Sequence, residues 1–375
     1  MNNRQRPRTQ GWVIGRAAGA PIILTPSWLL AAAVLTFLFA PTVQLRAPHL
    51  GVFTYVVAFV FVVLLFASVL VHELAHGIVA RARGQHVEEF AITLWGGHTA
   101  FSAAAATPAT SALVAVVGPV ANLVLALGFW IGAQSVPSAG VPGLLLYAGA
   151  FANGFVGLFN LVPGLPLDGG QILQAAVWKV TGDRHKGLVV AGWVGRVVAA
   201  GVVVWALAVP IVRGYPIDLF TVVWAALIGA FLWSGASGAV TSGRTGRSLE
   251  QLTVASVGRP ATSVPAHVTL ADADRARGQA RVDEVVLMSP DGRPAAYVDR
   301  AAAAAVPPEQ RAHTPVTAVA AVIPVGAVID ARLQGAELVQ AVGAVTRTSG
   351  VVAAVLDGQV TALVVAADVI HALRS

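Results

Sequence analysis

Three stretches without a single Lys, Arg, Asp or Glu dominate this sequence: Ala17–Leu45, Ala47–Val71 and Phe90–Leu167. A water-soluble fold cannot hide uncharged runs of that length, whereas a bilayer-spanning helix requires about 20 apolar residues. Composition agrees, with 56% hydrophobic and 11% charged residues among 375, against roughly a quarter charged in soluble domains. The fold class expected is a polytopic α-helical membrane protein. Its six spans are read near 26–40, 53–80, 109–132, 142–162, 187–210 and 217–239.

The basic residues orient these spans. With the N-terminus inside, the inner segments hold Arg4, Arg6, Arg8, Arg16, Arg81, Arg83, Lys179, Arg184, Lys186, Arg244 and Arg247, and the outer ones hold Arg46 and Arg213. Cytoplasmic loops carry such an excess, so both termini are expected in the cytoplasm of a cell whose Ala-, Val- and Arg-rich usage suggests a GC-rich bacterial genome. The opening MNNRQRPRTQGWVIGR is basic but lacks a short apolar core with a cleavage site, so the first apolar stretch is expected to stay as a helix. The net charge of +6 is not concentrated on one soluble unit, and no nucleic-acid partner is expected. The absence of cysteine excludes disulfides and thiolate metal ligands.

Residues 84–108, GQHVEEFAITLWGGHTAFSAAAATP, interrupt the helical pattern with glycines, threonines and near-alternation. Backbone at membrane depth must be paired and protein-lined, so a short membrane-associated β-hairpin is expected there. Composition changes again near residue 245: all nine tryptophans precede it and twelve of the eighteen acidic residues follow it. The expected division is an N-terminal segment (1–20), a membrane domain (21–240), a linker (241–250, containing TSGRTGRS) and a soluble α/β region (251–375). Within that region, VDEVVLMSPDGRPAAYVDRAAAAAV and VVAAVLDGQVTALVVAADVIHAL repeat a strand–turn–strand–helix pattern. Asp291-Gly292 and Asp357-Gly358 supply the hairpin turns. A duplicated unit is expected.

Chemistry concentrates at His72-Glu73-Leu74-Ala75-His76 in the second span. Residues four apart share a helix face, so two imidazoles can converge on one Zn²⁺, with Glu73 beside them to take a proton from water. A third ligand is needed. Of the other carboxylates in the membrane part, Glu88 and Glu89 read as solvated near Arg81 and Arg83, Asp183 lies in the polar loop TGDRHK, and Asp218 lies on the outer side. Asp168, in NLVPGLPLDGG, remains, at a depth similar to that of His72. Ionisable groups at such depth are expensive and mark function. His98 reads as a hydrogen-bonded strand residue, with a fourth ligand or substrate contact as the rival reading. Arg196, inside the fifth span, calls for pairing or snorkelling. Two other functions fit membrane-embedded His and Asp: a metal transporter, which would want repeated polar sites along a path, and a non-catalytic membrane anchor for a C-terminal sensor.

The motifs HELAH and NLVPGLPLDGG, with GRAAGAPIILTPSW before the first span and GPVANLVLA at 118–126, are similar to those of the site-2 protease family of intramembrane zinc metalloproteases. The likeness is to the six-span subgroup with a C-terminal pair of CBS (cystathionine-β-synthase-like) modules, without a PDZ-like insertion. It implies zinc held by His72, His76 and Asp168, Glu73 as acid/base, and Asn160, Asn153 and Asn122 as groups that hold substrate or stabilise the oxyanion. The implied substrate is a single-span membrane protein, such as an anti-sigma factor or membrane-tethered regulator. The CBS likeness implies a homodimer or regulatory scaffold. It also admits an adenosine nucleotide with Asp368 at the ribose position, although Val365 stands where a hydroxyl is expected and Ala302 replaces the corresponding Asp of the first unit.

Overall fold

The computed structural model describes residues 9–94, 96–102, 105, 107–137, 140–345 and 350–374; Arg4, Arg6 and Arg8 of the charge count lie outside them. Two compact units meet the eye, residues 1–243 and 244–375.

The membrane unit begins with a hairpin, β1 (Trp12–Ala17) and β2 (Ala20–Leu24). Its two-residue turn, Ala18-Gly19, has positive φ at both positions (48° and 82°), the conformation that matches strand twist in a tight hairpin. Then come α1 (Ser27–Arg46), α2 (Phe53–Ala82), β3 (Val87–Thr93), β4 (Gly96–Phe101), α3 (Pro108–Gln134), α4 (Val141–Asn160), α5 (Asp168–Thr181), α6 (Arg184–Val212) and α7 (Leu219–Gln251). Six of these helices, α1, α2, α3, α4, α6 and α7, are long and apolar enough to cross a bilayer among the described residues. The protein is a multi-pass helical membrane protein. Bulky side chains such as Phe37, Phe151, Leu158 and Trp205 face outward, while Ala58, Ala80, Ala115, Ala191 and Ala236 are buried between helices. Lipid offers no hydrophobic drive for helix association, so small residues that allow close packing take the inside.

The hairpin expected in 84–108 is present as the antiparallel pair β3–β4, half of a four-stranded sheet ordered β1-β2-β3-β4 in which β2 runs parallel to β3; β1 and β2 supply its other half. Two expectations need revision. Glu89 is buried rather than solvated: its carboxylate accepts from the Thr9 amide at 3.3 Å and from the Thr9 hydroxyl. The linker 241–250 is helix, the final turns of α7. Arg196 is paired. Its guanidinium lies over the Trp193 and Trp233 rings at 4.5 and 5.6 Å, and its Nε donates to Ser237 Oγ at 3.1 Å.

The second unit holds α8 (Val254–Val257), β5 (Gly258–Pro265), α9 (Leu270–Ala280), β6 (Glu284–Met288), β7 (Pro294–Val298), α10 (Arg300–Ala304), β8 (Ala320–Val322), β9 (Val328–Asp330), α11 (Gly335–Val345), β10 (Val351–Leu356), β11 (Gln359–Val365) and α12 (Ala366–Arg374). Its seven strands are ordered β8-β7-β6-β5-β11-β10-β9. The sequence β5-α9-β6-β7-α10 recurs as β9-α11-β10-β11-α12, each with a parallel first pair and an antiparallel hairpin. Asp357 and Gly358 turn the second hairpin with positive φ at both positions. Separate clusters, one around Leu338, Val352 and Val364 and one around Leu270, Val285 and Leu287, give each repeat its own core.

Candidate metal centre

His72 and His76 lie one turn apart on α2, and Asp168 opens α5. Asp168 Oδ2 is 3.1 Å from His72 Nε2 and 3.4 Å from His76 Nε2, and the two Nε2 atoms are 3.0 Å apart. Bonds of about 2.0–2.2 Å to a tetrahedral zinc place neighbouring donor atoms about 3.4 Å from each other, so the triangle has the size one zinc ion requires.

The hydrogen bonds on the far sides of the rings strengthen this. His76 Nδ1 meets the Val114 carbonyl at 2.6 Å, and His72 Nδ1 meets Asn122 Oδ1. A carbonyl oxygen only accepts, so both rings carry hydrogen on Nδ1 and turn the Nε2 lone pair inward. Two lone pairs and a carboxylate oxygen converging in a buried pocket repel one another unless a cation sits among them. Gly118 leaves room for that cation: a Cβ there would press on His76 Nε2 and lie 2.7 Å from His72 Nε2. His72, His76 and Asp168 are the group able to hold a metal ion among the described residues.

Local sequence explains how Asp168 arrives. The segment 161–167 leaves α4 and is tied to α6 by the Leu165 amide, which donates to the Ala191 carbonyl at 3.1 Å. Gly195 of α6 permits this approach, because a Cβ there would strike the Leu165 carbonyl. Gly169 and Gly170 allow the first turn of α5 to fold back against 161–165. Gln171 Nε2, one turn on, donates to Asp168 Oδ1 at 3.4 Å.

Glu73 sits beside His72, buried but outside the triangle. Its Oε2 accepts from Thr99 Oγ1 of β4 at 2.8 Å, and Gly97 of β4 lets the strand close on it, since a Cβ there would lie 2.5 Å from Glu73 Cγ. A cavity of about 430 Å³ joins the triangle, Glu73, β4, Asn160 and Gln171. His98 lines the cavity without joining the ligand group.

Not every expected site residue faces this cavity. Asn160 does, from the last turn of α4. Asn122 and Asn153 do not; they are 1% and 2% exposed, Asn122 meeting the far side of the His72 ring and Asn153 meeting Asn122, in place of the expected contact with substrate or oxyanion. Asp368 stands on α12 of the second unit, where Arg259 holds its carboxylate through Nε at 3.1 Å and Nη2 at 3.0 Å. The sequence reading missed Thr99, Gln171 and Ser68. For Ser68 a signal existed, because it precedes His72 by four residues on the same helix face; for Thr99 none did, as its contact depends on strand-to-helix packing.

Fold and site together define a class: a multi-span helical membrane protein with a buried His–His–Asp metal centre and an adjacent carboxylate opening on one cavity. The family model described as Peptidase family M50 matches residues 60–141 and 133–204, so this part of the chain carries a Peptidase M50 domain. A putative zinc metalloprotease from Synechocystis is 35% identical over 263 residues, covering 68% of this chain and 64% of the relative. The putative zinc metalloprotease Rip3 of Mycobacterium tuberculosis is 40% identical over 179 residues, 46% of this chain and 44% of its own length. The chain thus spans less than two thirds of either curated relative. A solved structure of a site-2 protease from Methanocaldococcus jannaschii is similar at 24% identity and TM-score 0.44, over 62% of this chain and 95% of that one.

Proposed function

We propose that the chain is an intramembrane zinc metalloendopeptidase, hydrolysing peptide bonds within or beside the transmembrane segments of single-span proteins. The observation that carries this reading is the convergence of His72 Nε2, His76 Nε2 and Asp168 Oδ2 within 3.4 Å beside the Glu73 carboxylate. His72, His76 and Asp168 would hold zinc, which when bound supplies a Lewis acid that polarises a carbonyl and acidifies water. Glu73 takes the proton of the attacking water and passes it to the leaving amine, and Thr99 holds its carboxylate toward the cavity. Asn160 and Gln171, on the cavity wall, donate to the substrate backbone or its developing oxyanion. A helical substrate hides its amides in its own hydrogen bonds and must unwind. The outer edge of β4, unpaired among the described residues, accepts it as an added strand.

The same reading takes the 251–375 unit as a CBS pair that makes a homodimer or regulatory contact. Arg259 occupying Asp368 argues against a ribose contact there and hence against an adenosine nucleotide. The termini are cytoplasmic, the membrane is bacterial, and the substrate is an anti-sigma factor or similar tethered regulator.

The test is Glu73→Gln in the full chain with a membrane-spanning reporter. Zinc content should stay at one ion per chain while cleavage falls by about 10²–10⁴-fold, the usual contribution of a general acid/base. Cleavage at the wild-type rate overturns the reading.

A further inference from the structure

Behind His72 a line of buried polar groups runs through three helices and returns to the one it left. Asn122 Oδ1 of α3 faces His72 Nδ1, and Asn122 Nδ2 donates to Asn153 Oδ1 of α4 at 2.9 Å. Asn153 Nδ2 donates to Ser68 Oγ of α2 at 3.1 Å and to the Gly149 carbonyl at 2.9 Å. Ser68 Oγ in turn donates to the Leu64 carbonyl at 3.0 Å. Ser68, Asn122 and Asn153 are 5%, 1% and 2% exposed. None of the three lines the cavity that holds Glu73.

The line has a direction, and its far end sets it. The Leu64 and Gly149 carbonyls only accept. Ser68 must therefore spend its hydrogen on Leu64 and offer its oxygen to Asn153. Asn153 must point its NH₂ at Ser68 and Gly149, which leaves its carbonyl for Asn122. Asn122 must then donate to Asn153 and turn its own carbonyl to His72. An amide facing His72 with its NH₂ group would favour the opposite tautomer and place hydrogen on Nε2, the atom aimed at Asp168. Reversing the line would strand buried donors against donors and acceptors against acceptors, which is costly.

From this polarity we infer that Asn122, Asn153 and Ser68 are positioning residues that fix the His72 tautomer, so that zinc affinity depends on an amide two hydrogen bonds from the metal. The inference rests on the proposed zinc site. Outer partners of metal-bound histidines typically alter metal affinity 10–100-fold when removed.

The test is zinc binding by the purified full-length protein, measured by competition with a chromophoric chelator in two backgrounds. In the native background, Asn153→Leu should weaken zinc binding about tenfold. Asn122→Asp supplies a side chain whose two oxygens both accept, so it faces Nδ1–H correctly without instruction from Asn153. In that background Asn153 Oδ1 faces an acceptor rather than a donor, so Asn153→Leu should leave zinc affinity undiminished. A packing role for Asn153 would instead give the same loss in both backgrounds, and that result overturns the inference. Should Asn153→Leu fail to fold, Ser68→Ala makes the same comparison, with about a threefold loss expected in the native background alone. Native protein that binds zinc, together with variants of unchanged affinity, overturns the relay while leaving the proposed function standing. Native protein that binds none overturns both.

Discussion

At the scale of single residues, the proposed function separates holding the metal from moving the proton. Glu73 stays outside the ligand triangle and is gripped from β4 by Thr99 Oγ1 at 2.8 Å. Thr99→Val keeps the shape and removes the donor. A hydrogen bond to a charged group contributes about 1.5–3 kcal/mol, so cleavage should slow by roughly tenfold or more with zinc content unchanged. Kinetics on a reporter substrate, paired with elemental analysis, check both halves of that outcome. His72, Glu73, His76 and Asp168 were legible in the sequence because they are charged or ionisable groups in an uncharged setting, and their cost in lipid announces them. Asn122 and Asn153 were visible as polar residues in helices but not in their roles. Which way an amide faces is decided by carbonyls on other helices, such as those of Gly149 and Leu64, and no local pattern carries that.

Among the elements, α6 positions the segment that leads to Asp168. Gly195 meets the backbone of Leu165, three residues before Asp168. Gly195→Val should push the 161–167 segment off α6 and move Asp168 from the histidines. Overpacking of this kind costs about 1–3 kcal/mol, so zinc affinity should fall about five- to a hundredfold in a chelator competition; native affinity would show that the segment holds its place by other means. The spans were readable from hydropathy, and the hairpins of the second unit from their Asp-Gly turns. The end of α7 was not. TSGRTGRS has the composition of a linker, yet Val240 is buried and Gly243 lies against α6, where a Cβ would be 2.9 Å from the His185 carbonyl. Tertiary packing decides helix length where local propensity is weak. The pairing of β2 with β3 was hidden for a related reason, since it joins segments separated by the whole of α1 and α2.

For the whole molecule, two units with separate cores imply two separable melting events. A ligand that binds the folded state at a hundred times its dissociation constant stabilises it by about 2.7 kcal/mol. Adding zinc to metal-stripped protein should raise the transition of the membrane unit and leave that of the 244–375 unit in place; calorimetry in detergent reads both, and a shift confined to the second transition would contradict the site. Under the proposed function, the edge of β4, unpaired among the described residues, carries one more consequence. It offers main-chain groups, which every polypeptide possesses, and so discriminates little between side chains. Selection among candidate substrates then falls to their helical lability: segments weakened by Gly, Pro or β-branched residues should be cut, and stiff leucine-rich ones spared, whatever their sequence otherwise.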